Sequence, residues 1–347
     1  MIRKTILLCI SALAAAALNL TACSSTQVNT AAATRAEAEA RAMQERIRLE
    51  QQKSVWDSAL TDESRFAMNI KPTASEKRLG QQFARTVVRN LKTSKFFVHY
   101  LLSKLKENDM PVELAAIPMV ESGLNPTVRA NGGAHGPWQY KRATGKSVGL
   151  TTTENFDEIY DFVESTDASI EYLKKLYKDL GNWDLVVAAY NQGEYGVKRA
   201  VDAARARGAK RISLDSVRIS RGARNYIERF HAFADILHHP SDYGVTLPEV
   251  KNRPAFKRVE VAGRISSMRE AAELSGVELS TLKFLNNGYR SDRLSVSGDH
   301  GLYVPVEHAS RLEHALRSYE SGSASASNTS GSTEIKDTVT STSREMM

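Results

Sequence analysis

The chain has 347 residues, 41% hydrophobic and 25% charged, which suits a soluble globular protein with room for one large domain and a smaller one. Its net charge of +7 is modest and its basic residues are not interleaved with aromatics, which argues against a nucleic-acid partner and suits an anionic membrane surface or an acidic cell-wall polymer. Cys9 and Cys23 are the only cysteines and no HExxH pair occurs, so a disulfide framework and a tight zinc site are both disfavoured, and neither metal nor cofactor is expected.

Residues 1–22 read as a leader, with Arg3 and Lys4 ahead of an apolar, Ala-rich stretch from Ile6 to Leu18 that is short for a membrane span. Leu20-Thr21-Ala22-Cys23 resembles the lipobox of bacterial lipoproteins. That resemblance implies a lipidated Cys23 as the first mature residue, anchored in the membrane. Ser24 after it implies the periplasmic face of the outer membrane.

Residues 23–72 then form a polar linker. Its "TRAEAEARAMQERIRLEQQK" segment has few apolar positions, and Glu37 and Arg41 stand four apart in the favourable order, so the spacing predicts a solvated helix. A helical domain is expected over 73–245. Thr73-Ala-Ser-Glu76 is a capping-box pattern, followed by Leu79, Phe83, Val87 and Leu91 four residues apart. Phe97, Leu101 and Leu105 repeat the spacing, and Pro111 suits the first turn of a third helix. Ile170, Leu173, Leu176, Tyr177 and Leu180 form a further stripe. "WDLVVAAYNQG" closes on Gly193, and Tyr226, Ile227, Phe230, Phe233 and Leu237 mark another helix. Pro240 after His238-His239 reads as a helix end.

Over 246–310 the pattern changes. "KRVEV" and "GLYVPV" read as strands around two short helices, "SSMREAAELSG" and "LSTLKFLNNG". Residues 311–347 form a Ser/Thr-rich tail that is expected to be disordered. The fold class is therefore mainly α, with a small β-α-α-β unit behind it.

Glu121 stands at the end of the nearly apolar run "MPVELAAIPMVESGLNP". Apolar surroundings and the negative pole of a helix both raise a carboxyl pKa, as a general acid requires, although an apolar helix ending in a solvated Glu is equally compatible with the pattern. Pro118 removes a helix hydrogen bond and can tilt the last turn toward a cleft. The Gly-dense segment "GGAHGPWQYKRATGKSVGL" presents Trp138 beside Gln139, an indole and an amide that suit a sugar, or a ring that anchors the loop. Tyr190 and Asn191 put two polar groups at the end of a buried helix, where a structural or a ligand partner would satisfy them.

Taken in order, Val120-Glu121-Ser122, Gly136-Pro137-Trp138-Gln139 and Ala189-Tyr190-Asn191-Gln192-Gly193 resemble the motifs of lytic transglycosylases with a goose-type-lysozyme-like (SLT) domain. The likeness extends over about residues 76–310. It implies a lysozyme-like helical domain that binds peptidoglycan glycan strands and cleaves the β-1,4 bond between N-acetylmuramic acid and N-acetylglucosamine. Glu121 would be the single acid/base and the muramoyl 6-hydroxyl the nucleophile, leaving a 1,6-anhydro end. Ser122, Trp138, Gln139, Tyr190, Asn191 and Tyr226 would hold the sugars. Pro137 and Tyr140 depart from the family pattern, as does Gln192 in place of a small residue; Gly222-Ala223 replaces a Glu-Thr pair shortly before Tyr226. That last change keeps a second reading open, a weak or inactive peptidoglycan-binding lipoprotein. Residues 258–305 resemble a degenerate LysM module, with Ala262-Gly263-Arg264-Ile265 in place of its usual turn, open to glycan binding or to a structural role.

Overall fold

The computed structural model describes residues 26–60, 68–294 and 301–327, so the leader, Cys23 and the last twenty residues lie outside the described part. No helix among the described residues is long and apolar enough to cross a membrane. Among the described residues, those from Thr26 to Gln52 form one unit and those from Lys53 onward form another.

In the first unit, helix α1 (Thr26–Gln52) is a single solvated rod, as the charge pattern predicts. Arg35 pairs with Glu39 at 3.0 Å and Arg48 with Glu45 at 2.7 Å, both exposed, which adds only tenths of a kcal/mol each. Twenty-seven residues of helix reach about 40 Å.

The second unit begins earlier than the expected boundary at residue 73. Helix α2 (Val55–Leu60) buries Val55 and Trp56. The Val55 amide bonds to the Val250 carbonyl at 2.8 Å and the Trp56 indole N–H to that of Pro248 at 2.8 Å. One turn and a half of helix is too short to show a period, so the sequence placed this anchor in the linker.

Helix α3 (Ala74–Thr93) starts at the expected capping box: Thr73 Oγ1 accepts from the Glu76 amide, and the Glu76 carboxylate accepts from the Thr73 amide. Helix α4 (Lys95–Glu107) buries Phe97, Leu101 and Leu105 completely or nearly so. A 3₁₀ turn (Val112–Ala115) then leads into α5 (Ala116–Ser122). After a short hairpin, β1 (Ala134–His135) against β2 (Tyr140–Lys141), come α6 (Arg142–Ser147), α7 (Phe162–Leu180), α8 (Trp183–Gln192) and α9 (Glu194–Ala206). Helix α10 (Arg221–His238) runs through the core and packs against α3, α5 and α8, with all five residues of its predicted stripe buried. Tyr177 departs from the stripe predicted on α7, lying 40% exposed and stacked on Trp183 at 4.1 Å.

A charged clamp joins three of these helices. His231 of α10 meets Glu76 Oε1 through Nδ1 at 2.7 Å and Asp184 Oδ1 through Nε2 at 2.9 Å. Burial alone would lower the imidazole, but the two carboxylates outweigh it and push it up to about 9. The protonated ring thus donates to both carboxylates and ties the starts of α3 and α8 to the middle of α10.

The small unit behind the helical body follows the expected β-α-α-β order: β3 (Phe256–Val259), α11 (Met268–Ser275), α12 (Leu279–Leu285) and β4 (Leu302–Pro305), with the strands antiparallel and Val259 opposite Leu302. It then departs from expectation. Residues 311–327 of the expected tail continue α13 (Val306–Ser327), and Ala309, Leu312 and Leu316 bury their side chains in the core of this unit. Their three-to-four spacing is a helical stripe that the Ser-rich composition further along obscured. Phe284 lies 5.5 Å from Phe97, Phe156 meets Tyr289 edge-on at 4.9 Å, and the Asp157 amide bonds to the Gly288 carbonyl at 2.8 Å. The unit is docked on the body through rings and backbone.

Replacing His231 with Ala leaves two carboxylates without their shared cation and should cost about 3 kcal/mol, the low end for a buried pair because Asp184 is partly exposed. In the wild type this contribution is complete below the ordinary histidine pKa and fades as pH rises through about 9. Urea unfolding from pH 6 to pH 10 should show that alkaline loss in the wild type and not in His231→Ala.

Candidate active site

The site is built around the end of α5. Its residues Ala116, Ile117, Pro118 and Met119 are buried, and Pro118 falls in the first turn, where its missing N–H costs no helix bond. The expected disruption at Pro118 does not occur. Instead the helix stops at Gly123, whose φ of 68° lets its N–H turn back to the Met119 carbonyl, with the Leu124 amide reaching that of Pro118. A Cβ at Gly123 would also sit 2.3 Å from the Asn90 side chain, so only glycine ends the helix this way. Glu121 is left two residues before the stop, half-buried at the head of a cleft of about 790 Å³.

Burial pushes the Glu121 carboxyl up to about 7. Two weaker effects oppose this: the Tyr226 hydroxyl donates to Glu121 Oε1 at 2.7 Å, and the positive charge of Arg229 favours the ionised form. Both come from α10, one helical turn apart. The cleft also contains two further carboxylates, Glu171 and Glu194, which no linear motif marks. Glu171 is paired with Lys174 at 2.9 Å and Glu194 with Lys175 at 2.7 Å, and neither contributes to the shift at Glu121.

The six residues expected to hold sugars divide into two groups. Gln139, Tyr190 and Asn191 line the cleft together with Glu121. Tyr226 is 7% exposed and reaches the cleft only through its bond to Glu121. Ser122 braces the site: its hydroxyl donates to the Pro137 carbonyl at 2.7 Å and accepts from the Asn125 amide, joining the end of α5 to the glycine-rich loop. Trp138 is a correction. Its indole is fully buried and donates to Thr166 Oγ1 at 3.0 Å, so it anchors the loop and cannot stack on a ligand. Composition alone does not separate a core indole from a cleft indole.

The loop that carries Gln139 is tightly specified. Gly136 has φ 75° and a Cβ there would overlap the Ile159 carbonyl, so the chain passes against that backbone only as glycine. Gln139 itself is left-handed at φ 51°, held by its own amide donating to the Gly136 and Val128 carbonyls. The Tyr190 hydroxyl donates to the Trp138 carbonyl at 2.5 Å, and the Tyr140 hydroxyl shares a hydrogen bond with Ser169 at 2.7 Å. These rings pack 5.9 Å apart. Gln192 accepts from the Ser220 amide, which uses its extra length to tie the end of α8 to the start of α10. Gly222 and Ala223 sit in the first turn of α10, Ala223 fully buried, and Tyr226 on the next turn still reaches Glu121.

The sequence reading missed Tyr172, Lys175 and Glu194. They lie on the polar side of α7 and the first turn of α9, and no linear motif distinguishes the side of a helix that faces a cleft from the side that faces water.

Comparison with known proteins places this cleft in a recognisable setting. The transglycosylase SLT domain family matches residues 102–213, and the LysM-like domain of lytic transglycosylase MltD matches residues 255–321. The membrane-bound lytic murein transglycosylase D of Escherichia coli K12 is 34% identical over 225 residues, covering 65% of this chain and 49% of its own. The same protein of Escherichia coli O6:H1 matches equally. A putative tributyltin chloride resistance protein of an Alteromonas species is 30% identical over 106 residues, 30% of this chain and 51% of its own. The chain thus spans about half the length of the curated relatives it matches.

Replacing Tyr226 with Phe removes a donor that favours the ionised carboxylate while keeping the ring. The Glu121 titration midpoint should then move upward from about 7, read by carbon NMR on labelled Glu.

Proposed function

We propose that this chain is a lytic transglycosylase, cleaving the β-1,4 bond between N-acetylmuramic acid and N-acetylglucosamine in peptidoglycan. The observation that carries the reading is Glu121: a carboxyl half-buried at the head of a large cleft, protonated over much of the neutral range, and oriented by Tyr226. The SLT-domain match around it supports the same chemistry.

Glu121 gives its proton to the glycosidic oxygen as the bond to the muramoyl C1 breaks, and the N-acetylglucosamine leaves as an alcohol. The resulting carboxylate is stabilised by the Tyr226 hydroxyl and the charge of Arg229. It then takes the proton of the muramoyl 6-hydroxyl as that oxygen closes on C1. A 1,6-anhydro ring forms, Glu121 recovers its proton, and no water is consumed. A hydrolase would need a second carboxylate, as base for water or as nucleophile. Glu171 and Glu194 are instead held by lysines, while the substrate's own hydroxyl acts at high effective concentration. Gln139, Tyr190 and Asn191 would position the sugars; Tyr226 acts through Glu121 and Ser122 through the loop.

Residues 1–22 would be removed and Cys23 lipidated, holding the enzyme at the periplasmic face of the outer membrane, with residues 23–52 as spacer. Cys23→Ser should then shift the protein from the membrane fraction to the soluble fraction.

Peptidoglycan incubated with the wild type should release 1,6-anhydro-muropeptides, with kcat/KM falling as pH rises through about 7 because the donor must be protonated. Glu121→Gln should lower the rate at least about a hundredfold. Reducing-end products would identify a hydrolase and reject cyclisation. Sacculus binding without turnover, equal in wild type and Glu121→Gln, would identify a binding protein.

A further inference from the structure

Tyr195 is the most exposed large apolar side chain among the described residues, at 71%. It opens α9 and lines the same cleft as Glu121. Every other tyrosine of the cleft is already engaged. Tyr140 bonds to Ser169, Tyr190 bonds to the Trp138 carbonyl, and Tyr172 packs 6.3 Å from Tyr190 with Lys175 above its face. Among the described residues the Tyr195 side chain makes no hydrogen bond and no ring contact.

Its backbone is nevertheless tied down. Glu194, the residue before it, pairs with Lys175 at 2.7 Å, and Lys198, three residues later, pairs with Asp179 at 2.6 Å. Both pairs run from α9 to α7, so the turn bearing Tyr195 is held against α7 on either side of a ring left free. The stepwise packing of Tyr140, Tyr190 and Tyr172 leads out of the core, and Tyr195 is near enough to Tyr172 to influence its hydroxyl. Glu121 ends α5 whereas Tyr195 stands in the first turn of α9, so different elements bring the two to the same cleft.

A free, flat ring on a fixed base suits the C–H face of a sugar, where stacking removes apolar area from water on both partners. We propose that Tyr195 is a stacking platform for a glycan ring remote from the cleaved bond, and that it sets the preference of the enzyme for long strands over short fragments. The proposal rests on the reading of the cleft as a glycan-cleaving site. A strand long enough to pass Glu121 and lie on Tyr195 gains the contact, whereas a fragment that ends short of α9 does not.

The test compares kcat/KM on long uncross-linked glycan strands with that on a tetrasaccharide fragment of the same repeat. Tyr195→Ala should lower the long-to-short ratio roughly fivefold, while Tyr195→Phe and Tyr195→Trp keep it because the ring, not the hydroxyl, makes the contact. An unchanged ratio in Tyr195→Ala overturns the platform and leaves the catalytic reading standing. If the wild type yields no 1,6-anhydro product, the catalytic reading falls and calorimetric binding of long strands decides the platform. Affinity that drops in Tyr195→Ala and returns in Tyr195→Phe supports it; affinity indifferent to Tyr195, or no binding, overturns it.

Discussion

Helix α5 has seven residues, too few to be stable in water without tertiary support. The position of Glu121 therefore depends on what α5 leans against, and that is chiefly α10. The same helix supplies Tyr226 to the Glu121 carboxyl and, through His231, gathers the starts of α3 and α8. Since α8 ends in Tyr190 and Asn191, a single element sets the spacing between the carboxyl and the far wall of the cleft. Packing of short helices on one long buried helix is the constraint on which the rest of the site rests.

Within the cleft, residues that hold geometry and residues that meet solvent are separated. Ser122, Trp138, Tyr140 and Gln192 spend their polar atoms on other parts of the protein. Glu121 and Asn191 keep surface in the cleft, and Gln139 lines it while its amide nitrogen serves the loop. The division explains how a loop with a strained position at Gln139 can stay in place: it is braced from behind by the Trp138 indole and from the side by Ser122.

The LysM-like unit is attached to the same framework. Its residues 288–290 lie against residues 153–157, and a Cβ at Gly288 would come within 2.6 Å of the Phe156 ring, so the approach is close. Asp157 in turn is bonded to Arg142 at 2.6 Å, at the start of α6, whose Thr144 and Ser147 line the cleft. The unit thus supports one wall of the cleft at second hand.

Much of this was legible in the linear chain. The capping box at Thr73, the stripes of α4 and α10, the stop after Glu121 and the β-α-α-β order all follow from periodicity and local turn chemistry, which act over a few residues. The elements that escaped were the short ones, such as α2, and the last stripe on α13, masked by composition. In the site, the sequence by itself determined an acid at the end of an apolar helix and which motifs stand in order around it. Tertiary structure decided that Trp138 turns inward, that Tyr226 comes from 105 residues away to hold Glu121, and that Tyr195 is left bare. Which side of a helix faces a cleft, and how dry a carboxyl becomes, are set by segments distant along the chain, and local pattern carries no record of them.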